Sequence, residues 1–469
     1  MRYLIPALLL FSTLPAQAQI FGSWEGKPVN LELRIGFKFE QRPDGSVSGK
    51  MDSPDQNAFD IKMDTTIITG DSVFTEFRQA GFSFEGKLVN DTTLSGMISQ
   101  GVKLPLVLHR KSASSAKAQK PQTPVPPFPY NSEDVLFPGG ADGVTIGGTI
   151  TYPKSPGSPG KYPALLLIGG SGPSDRDHTI FGHKPFAVIA DHLSRKGFLV
   201  LRVDDRGIGR STGSYMNSTS ADFSKDANAA IEYLRTRPEV NTSRIGILGH
   251  SEGGMIAPMV AAERNDIAFI VLLAAPGIEV KELMREQASA VFAKTGADEE
   301  TANAFGKLYK GVIEKILDSD DSTKAIKKGT DYAQDWAKKM SADALAKTGL
   351  SSAEQRKSYV FEIYKALSDP WFRYFIQYDP GKTLKKLNTK VLAINGEEDV
   401  QVLSTSNLEG IKQSLSKSKS PAPFIISLPG HNHLFQKCTT CSVTEYGQLE
   451  ESFSREALEL ITEWLLKNS

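Results

Sequence analysis

Apolar and polar positions follow two different rhythms along this chain. Over residues 19–112 they alternate in short runs, as in Val29-Asn30-Leu31-Glu32-Leu33-Arg34-Ile35 and Phe37-Lys38-Phe39. Alternation with period two sends successive side chains to opposite faces of a strand. Turn signals separate the runs: Arg42-Pro43-Asp44-Gly45, Thr69-Gly70-Asp71 and Val89-Asn90-Asp91. Short strands with regular turns predict a small all-β domain, either a meander, a sandwich or a barrel. Residues 113–130 are rich in Ser, Ala, Lys and Pro and include Pro124-Val125-Pro126-Pro127. That composition predicts an extended linker.

Over residues 131–469 strand-like runs alternate with helical ones. This predicts an α/β domain with a mainly parallel sheet and helices on both faces. An early antiparallel strand is expected over 144–152, then strands over 162–168, 198–203, 244–248, 267–275, 390–395 and 423–428. Helices are expected over 185–196 and 222–237, and a closing amphipathic helix over 451–467. Residues 278–385 break the pattern: they are polar and helical, with Ala, Lys, Glu and Asp recurring. The stretch is too long for a loop and predicts a helical cap inserted between two strands. Its aromatic residues Trp336, Tyr359, Phe361, Tyr364, Trp371, Phe372, Tyr374 and Phe375 either line a pocket or form the cap's own core.

The 54 acidic residues balance the 54 basic ones, so no basic excess points to nucleic acid. Residues 1–18 read as a signal peptide. Arg2 gives a positive start, residues 4–14 are mostly apolar, and Ala16-Gln17-Ala18 is a cleavage site. The mature chain would begin at Gln19 and be exported, to a periplasm or beyond, with no integral membrane segment left. Cys438 and Cys441 are the two cysteines. In an exported protein a C-x-x-C pair is most simply a local disulfide. Zinc would need two more ligands, and the nearby His433 has a better use.

That use begins with Gly249-His250-Ser251-Glu252-Gly253, which follows an apolar run and precedes a small-residue stretch. Strand, sharp turn and helix are the setting of a nucleophile elbow. A serine needs a base, usually a histidine, and the histidine needs a carboxylate. In elbow-type hydrolases the chain order is Ser, then Asp or Glu, then His. Ser251, Asp399 and His433 satisfy it, with Glu397, Glu398 and His431 as competitors. One oxyanion donor is expected at the Glu252 N–H and a second at Gly170 or Ser171, in the loop Gly169-Gly170-Ser171-Gly172-Pro173. Asp204, Asp205 and Arg206 read as an internal ion pair, and Arg176 as a partner of Asp175 or Asp177. The His250 side chain is expected to point away from Ser251.

Three motifs carry a family likeness: Gly249-His250-Ser251-Glu252-Gly253-Gly254, Asp204-Asp205-Arg206-Gly207 and Asn432-His433-Leu434-Phe435-Gln436. On them the last two-thirds of the chain resembles the α/β-hydrolase superfamily. It is most similar to exported bacterial serine hydrolases described as acyl esterases or serine-aminopeptidase-like proteins. The resemblance implies the α/β-hydrolase fold with a cap. It favours His433 as base because that histidine precedes Leu-Phe, and Asp399 as acid because a short turn and an apolar residue follow it. The Gly170 loop is similar to the family's His-Gly-Gly motif without its histidine. The expected activity is cleavage of carboxylic esters through an acyl-enzyme, with no metal and no organic cofactor. The expected partner is a small acyl ester or a short peptide. A serine exopeptidase or amidase is the alternative, and a non-catalytic binding protein on a hydrolase fold is a third.

Overall fold

The alternating segment folds into β1 (Gly22–Gly26), β2 (Ile35–Gln41), β3 (Val47–Ser53), β4 (Ala58–Lys62), β5 (Thr65–Thr69), β6 (Ser72–Phe77), β7 (Phe82–Asn90), β8 (Thr93–Gln100) and β9 (Val102–Arg110). The computed structural model describes residues 20–28, 33–42, 45–53, 58–78, 81–100, 102–111, 120–154 and 161–469. The expected signal peptide, residues 29–32 of the first alternating run, Pro43-Asp44 of the first turn and residues 113–119 of the expected linker lie outside them. The chain divides into two compact units, with the boundary between Ala118 and Gln119. Among the described residues, no helix is long and apolar enough to cross a membrane.

In the first unit the strands are antiparallel and lie in the order β4-β3-β2-β1-β9-β8-β7-β6-β5. Trp24, Phe37, Phe39, Val73, Phe84, Leu94, Leu106 and Leu108 turn inward to one core, while Glu40 and Glu85 face out. A Cβ on Gly49 of β3 would lie 2.4 Å from Thr66 Oγ1 of β5, far along the strand order. The sheet therefore curls round a single core rather than splitting into two stacked sheets.

The second unit opens with a turn, closed by the Thr123 N–H on the Lys120 carbonyl at 2.9 Å, that is held against the unit's own body. Lys120 Nζ donates to the Gly447 carbonyl at 2.9 Å and to that of Leu449 at 2.6 Å. Gln122 Oε1 accepts the backbone N–H of Ser452 at 2.5 Å and of Phe453 at 3.0 Å. The sheet follows: β10 (Tyr130–Pro138), β11 (Thr145–Pro153), β12 (Tyr162–Ile168), β13 (Leu199–Val203), β14 (Val240–His250), β15 (Phe269–Leu273), β16 (Lys390–Gly396) and β17 (Phe424–Leu428). Their order is β10-β11-β13-β12-β14-β15-β16-β17. The ladders β10/β11 and β11/β13 are antiparallel, and those from β13 through β17 are parallel. Crossovers that bury both faces explain why β12 and β15 are continuous apolar runs rather than alternating ones.

The helices are α1 (Pro185–Arg195), α2 (Ser220–Thr236), α3 (Gly253–Glu263), then α4 (Val280–Ala293), α5 (Glu299–Leu317), α6 (Ser322–Ala337), α7 (Ala342–Thr348), α8 (Ala353–Ala366), α9 (Pro370–Ile376) and α10 (Pro380–Leu384) between β15 and β16, and finally α11 (Ser404–Leu415) and α12 (Arg455–Asn468). Leu166, Leu201, Ile247, Ile270 and Ala393 face α2, α3 and α11. Their neighbours Leu165, Val200, Leu248, Val271 and Leu392 face α1 and α12. Replacing such a leucine by alanine typically costs about 2–5 kcal/mol. α2 begins earlier than its apolar spacing predicts because Thr219 caps it: the Thr219 N–H donates to Asp222 Oδ2 at 3.0 Å. Helices α4 to α9 share a separate core that includes Val280, Leu308, Val312, Ala333, Val360 and Phe375.

Candidate active site

Glycines make the turn after β14 possible. A Cβ on Gly249 would lie 2.0 Å from the Gly253 carbonyl oxygen, one on Gly253 2.2 Å from that of Ile168, and one on Gly254 2.4 Å from Ala275 Cβ. No side chain fits at any of the three, so α3 starts directly against the strand ends. Between these glycines Ser251 adopts φ +54°. That left-handed conformation costs a non-glycine residue roughly 1–2 kcal/mol. The Ser251 N–H holds the turn by donating to the Leu273 carbonyl at 2.8 Å.

Asp399 follows β16 and His433 follows β17, so both reach the same sheet edge as Ser251. His433 Nδ1 lies 2.7 Å from Asp399 Oδ2. Asp399 Oδ1 accepts the backbone N–H of Gln401 at 2.8 Å and of Val402 at 2.9 Å. Both side chains are buried, and the carboxylate is aimed by the turn that holds it. The competitors are placed elsewhere. Glu397 and Glu398 are exposed. His431 spends Nδ1 on the Pro429 carbonyl at 2.9 Å and Nε2 on Ser454 Oγ at 2.8 Å.

The Gly169–Ser171 loop lies against the elbow. A Cβ on Gly170 would sit 3.0 Å from Ser251 Cβ. Among the described residues, no backbone carbonyl accepts the N–H of Gly170, Ser171 or Glu252. Three amides near the serine thus have no backbone acceptor. The Glu252 side chain is held by its own partners: Oε1 accepts the Ser220 hydroxyl at 2.6 Å and the Trp371 indole N–H at 2.8 Å. Burial pushes its carboxyl pKa up, against hydrogen bonds from Ser220, Trp371 and Ser171.

Ser251 and His433 open onto a cavity of about 300 Å³. Its walls include Ile180, Phe181, Pro276, Leu283, Met284, Trp371, Phe372, Phe375, Val402 and Val443, with Gln287 and Gln401 as polar side chains. Of the aromatic residues noted in the sequence, Trp371, Phe372 and Phe375 line it. Trp336 and Tyr359 pack within the helical insert, and Phe361 is half exposed.

The ion pairs differ from the sequence expectation. Arg176 pairs with Asp204 at 2.5 Å and Asp134 at 3.0 Å, rather than with its neighbours. Asp175 is occupied by the backbone N–H groups of Asp177 at 3.1 Å and Thr179 at 2.9 Å, and Asp177 pairs with Arg202 and Lys184. Arg206 pairs with Asp226 at 2.6 Å, not with Asp204 or Asp205. Sequence reasoning also missed His178. It is buried beneath the Gly-rich loop, with Nε2 3.3 Å from His250 Nδ1. The one available signal was a histidine directly after Ser174-Asp175-Arg176-Asp177. Cys438 and Cys441 form a disulfide. Glu445, close to that disulfide, accepts backbone N–H groups from Thr439, Thr440 and Cys441.

Residues 184–351 match the family model described as serine aminopeptidase, S33. The match includes Ser251 and ends before Asp399 and His433. Esterase EstD of Thermotoga maritima is 34% identical over 205 residues, which are 43% of this chain and 47% of that protein. An uncharacterized peptidase of Bacillus subtilis, YuxL, is 28% identical over 129 residues, 26% of this chain and 19% of its own length. The chain therefore spans about half, or less, of the curated relatives it matches. The crystal structure of hypothetical protein PA2218 from Pseudomonas aeruginosa superposes on 77% of this chain and 100% of its own, with a TM-score of 0.45 at 15% identity. Over residues 184–351, which hold β14, the turn at Ser251 and α3, the chain is thus similar in sequence to the S33 serine-aminopeptidase-like hydrolases.

Proposed function

We propose that this protein is a serine hydrolase that cleaves carboxylic esters of apolar acyl groups. The observation that carries the reading is the cavity shared by Ser251 and His433, whose wall is mostly apolar and includes no Asp, Glu, Lys or Arg. In this reading Ser251 Oγ attacks the ester carbonyl carbon while His433 Nε2 takes its proton. Asp399 keeps the other imidazole proton on Nδ1 and stabilises the ring when it becomes charged. The Glu252 N–H and that of Gly170 or Ser171 hold the oxyanion. His433 then protonates the departing alcohol. Water, deprotonated by the same ring, cleaves the acyl-enzyme and restores Ser251. Over the cycle Ser251 passes its proton through His433 to the alcohol and regains one from water by the same ring, so one water is consumed.

The helices α4 to α10 serve as a cap in this account. Leu283 and Met284 come from α4, and Trp371, Phe372 and Phe375 from α9, so the insert contributes one apolar wall. That wall would select the acyl group, since burying an apolar side chain is worth about 1.5–3 kcal/mol. Export through a signal peptide cleaved after Ala18 completes the proposal, and N-terminal sequencing of mature protein starting at Gln19 would support it.

The family description favours a second reading, an exopeptidase. Such an enzyme needs a carboxylate to receive the substrate's ammonium group. The nearest one in sequence, Glu252, is committed to Ser220 and Trp371. A panel of p-nitrophenyl esters beside aminoacyl p-nitroanilides separates the two. Turnover of esters with anilides at background supports the esterase; faster turnover of anilides replaces it with the peptidase.

A further inference from the structure

His178 and His250 stand outside the reacting trio, yet both are buried against it, at 6% and 5% exposure. A line of hydrogen bonds joins them. Ser174 Oγ is 2.8 Å from His178 Nδ1, His178 Nε2 is 3.3 Å from His250 Nδ1, and His250 Nε2 is 2.9 Å from the backbone carbonyl oxygen of His433.

The last member fixes the direction of the bond between the two rings. A carbonyl oxygen only accepts, so His250 carries its proton on Nε2. Its Nδ1 is then a lone pair, and His178 must donate from its own Nε2. For a neutral ring His178 Nδ1 is a lone pair in turn, and the Ser174 hydroxyl, 2.8 Å from it and 3.2 Å from the Asp175 carbonyl oxygen, donates across the shorter contact. An additional proton on His250 would set its Nδ1–H against the His178 Nε2–H, whereas one on His178 would face the Ser174 hydroxyl oxygen. Burial acts in the same sense, holding His178 at about 4 and His250 well below the ordinary imidazole value, with the His433 charge opposing both.

The line touches two parts of the site. A Cβ on Gly169 would lie 3.0 Å from His178 Nδ1, and one on Gly170 3.4 Å from His250 Nδ1, so the rings support the loop that offers amides to Ser251. The other end is the main chain of His433 itself. The His250 and His433 ring centroids are 4.8 Å apart. A neutral His250 at that distance lets His433 become charged without like-charge repulsion.

We propose that His250, oriented by His178, is a positioning residue that holds the His433 main chain in place and remains neutral while His433 takes and returns a proton. The proposal rests on His433 being the base of the reaction. His250 touches no reacting atom; it acts through the residue that does.

Selective 15N-histidine labelling of the intact wild-type chain tests the relay without substrate. At neutral pH the His178 and His250 signals are expected as neutral Nε2–H tautomers. A Nδ1–H tautomer or a charged ring at His250 overturns the proposal, whatever the enzyme hydrolyses. Two variants then test the consequence with p-nitrophenyl esters. In His250→Leu kcat is expected to fall at least about tenfold with KM little changed, because misplacing a reacting group acts on the chemical step. His250→Gln, whose amide can still donate to the His433 carbonyl and accept from His178, is expected to recover most of the loss. Equal losses in both folded variants, or a loss confined to KM, overturn it. Should His250→Leu fail to fold, the tautomer measurement decides alone. Absence of ester turnover in the wild type would refute the ester reading and leave the tautomer result standing.

Discussion

The indole N–H of Trp371 donates to Glu252 Oε1 at 2.8 Å. The bond ties α9 of the helical insert to the residue that follows Ser251. Ser220 donates to the same oxygen at 2.6 Å, so one buried carboxyl holds the insert, the start of α2 and the elbow together. Replacing Glu252 by Ala strands two buried donors and is expected to cost about 2–4 kcal/mol. Glu252→Gln keeps an acceptor and should cost far less. Urea denaturation of the second unit measures both; equal midpoints for the two variants would contradict the tether.

Ser251 carries strain that a glycine would not. Its φ of +54° lies in the left-handed region. Ser251→Gly is therefore expected to be more stable than Ser251→Ala by about 1 kcal/mol, with both inactive. Thermal midpoints of the two variants decide. A more stable alanine variant would mean that the turn is unstrained.

The two histidines after β17 should separate cleanly. His433→Ala removes the group facing Asp399 and is expected to lower kcat by about 10⁴-fold or more. His431→Ala removes bonds to Pro429 and Ser454. It is expected to cost about 1–3 kcal/mol of stability and leave kcat within about tenfold. Ester kinetics on both variants provide the check, and the opposite ranking would exchange their roles.

The buried histidines of the second unit should add to its stability as pH rises, against an opposite contribution from Asp205, whose carboxyl is pushed up to about 8 by burial. His178 is held at about 4 in the folded chain, against 6.5 for a free imidazole. Between those values the unfolded chain binds more protons at this ring, so its share of the stability rises with pH. The contribution is fully present above about pH 6.5 and is lost as pH falls toward about 4, up to roughly 3 kcal/mol for this group. His183, lowered to about 4 by burial and by Lys120, adds in the same direction. Urea midpoints at pH 7 and pH 4.5 measure the slope. His178→Gln should flatten it; an unchanged slope would show that the ring is not held neutral.

Much of this architecture is legible in the chain because it is local. Apolar runs mark β12, β15 and β16, and the glycines around Ser251 mark the elbow. β10 escapes because Asn-Ser-Glu-Asp is an unbroken polar run and Val-Leu-Phe is bunched behind it, which hides the alternation of an edge strand. α11 escapes because only a narrow stripe, including Asn407, Ile411 and Leu415, is buried. What periodicity cannot carry is pairing at a distance. Arg176 reaches Asp204 across 28 positions, and Glu252 reaches Trp371 across 119. His178 belongs to the same class, since its meaning depends on a ring that the chain reaches only after α1, β13 and α2, at the end of β14.

The central claim is that Ser251 is the nucleophile of an ester hydrolase, and one comparison tests it most directly. Wild-type protein and Ser251→Ala are treated with a fluorophosphonate probe and assayed with a p-nitrophenyl ester, and the labelled peptide is identified by mass spectrometry. The account predicts a single label on Ser251 in the wild type, and neither label nor turnover in the variant. Labelling or turnover that survives the substitution would contradict it.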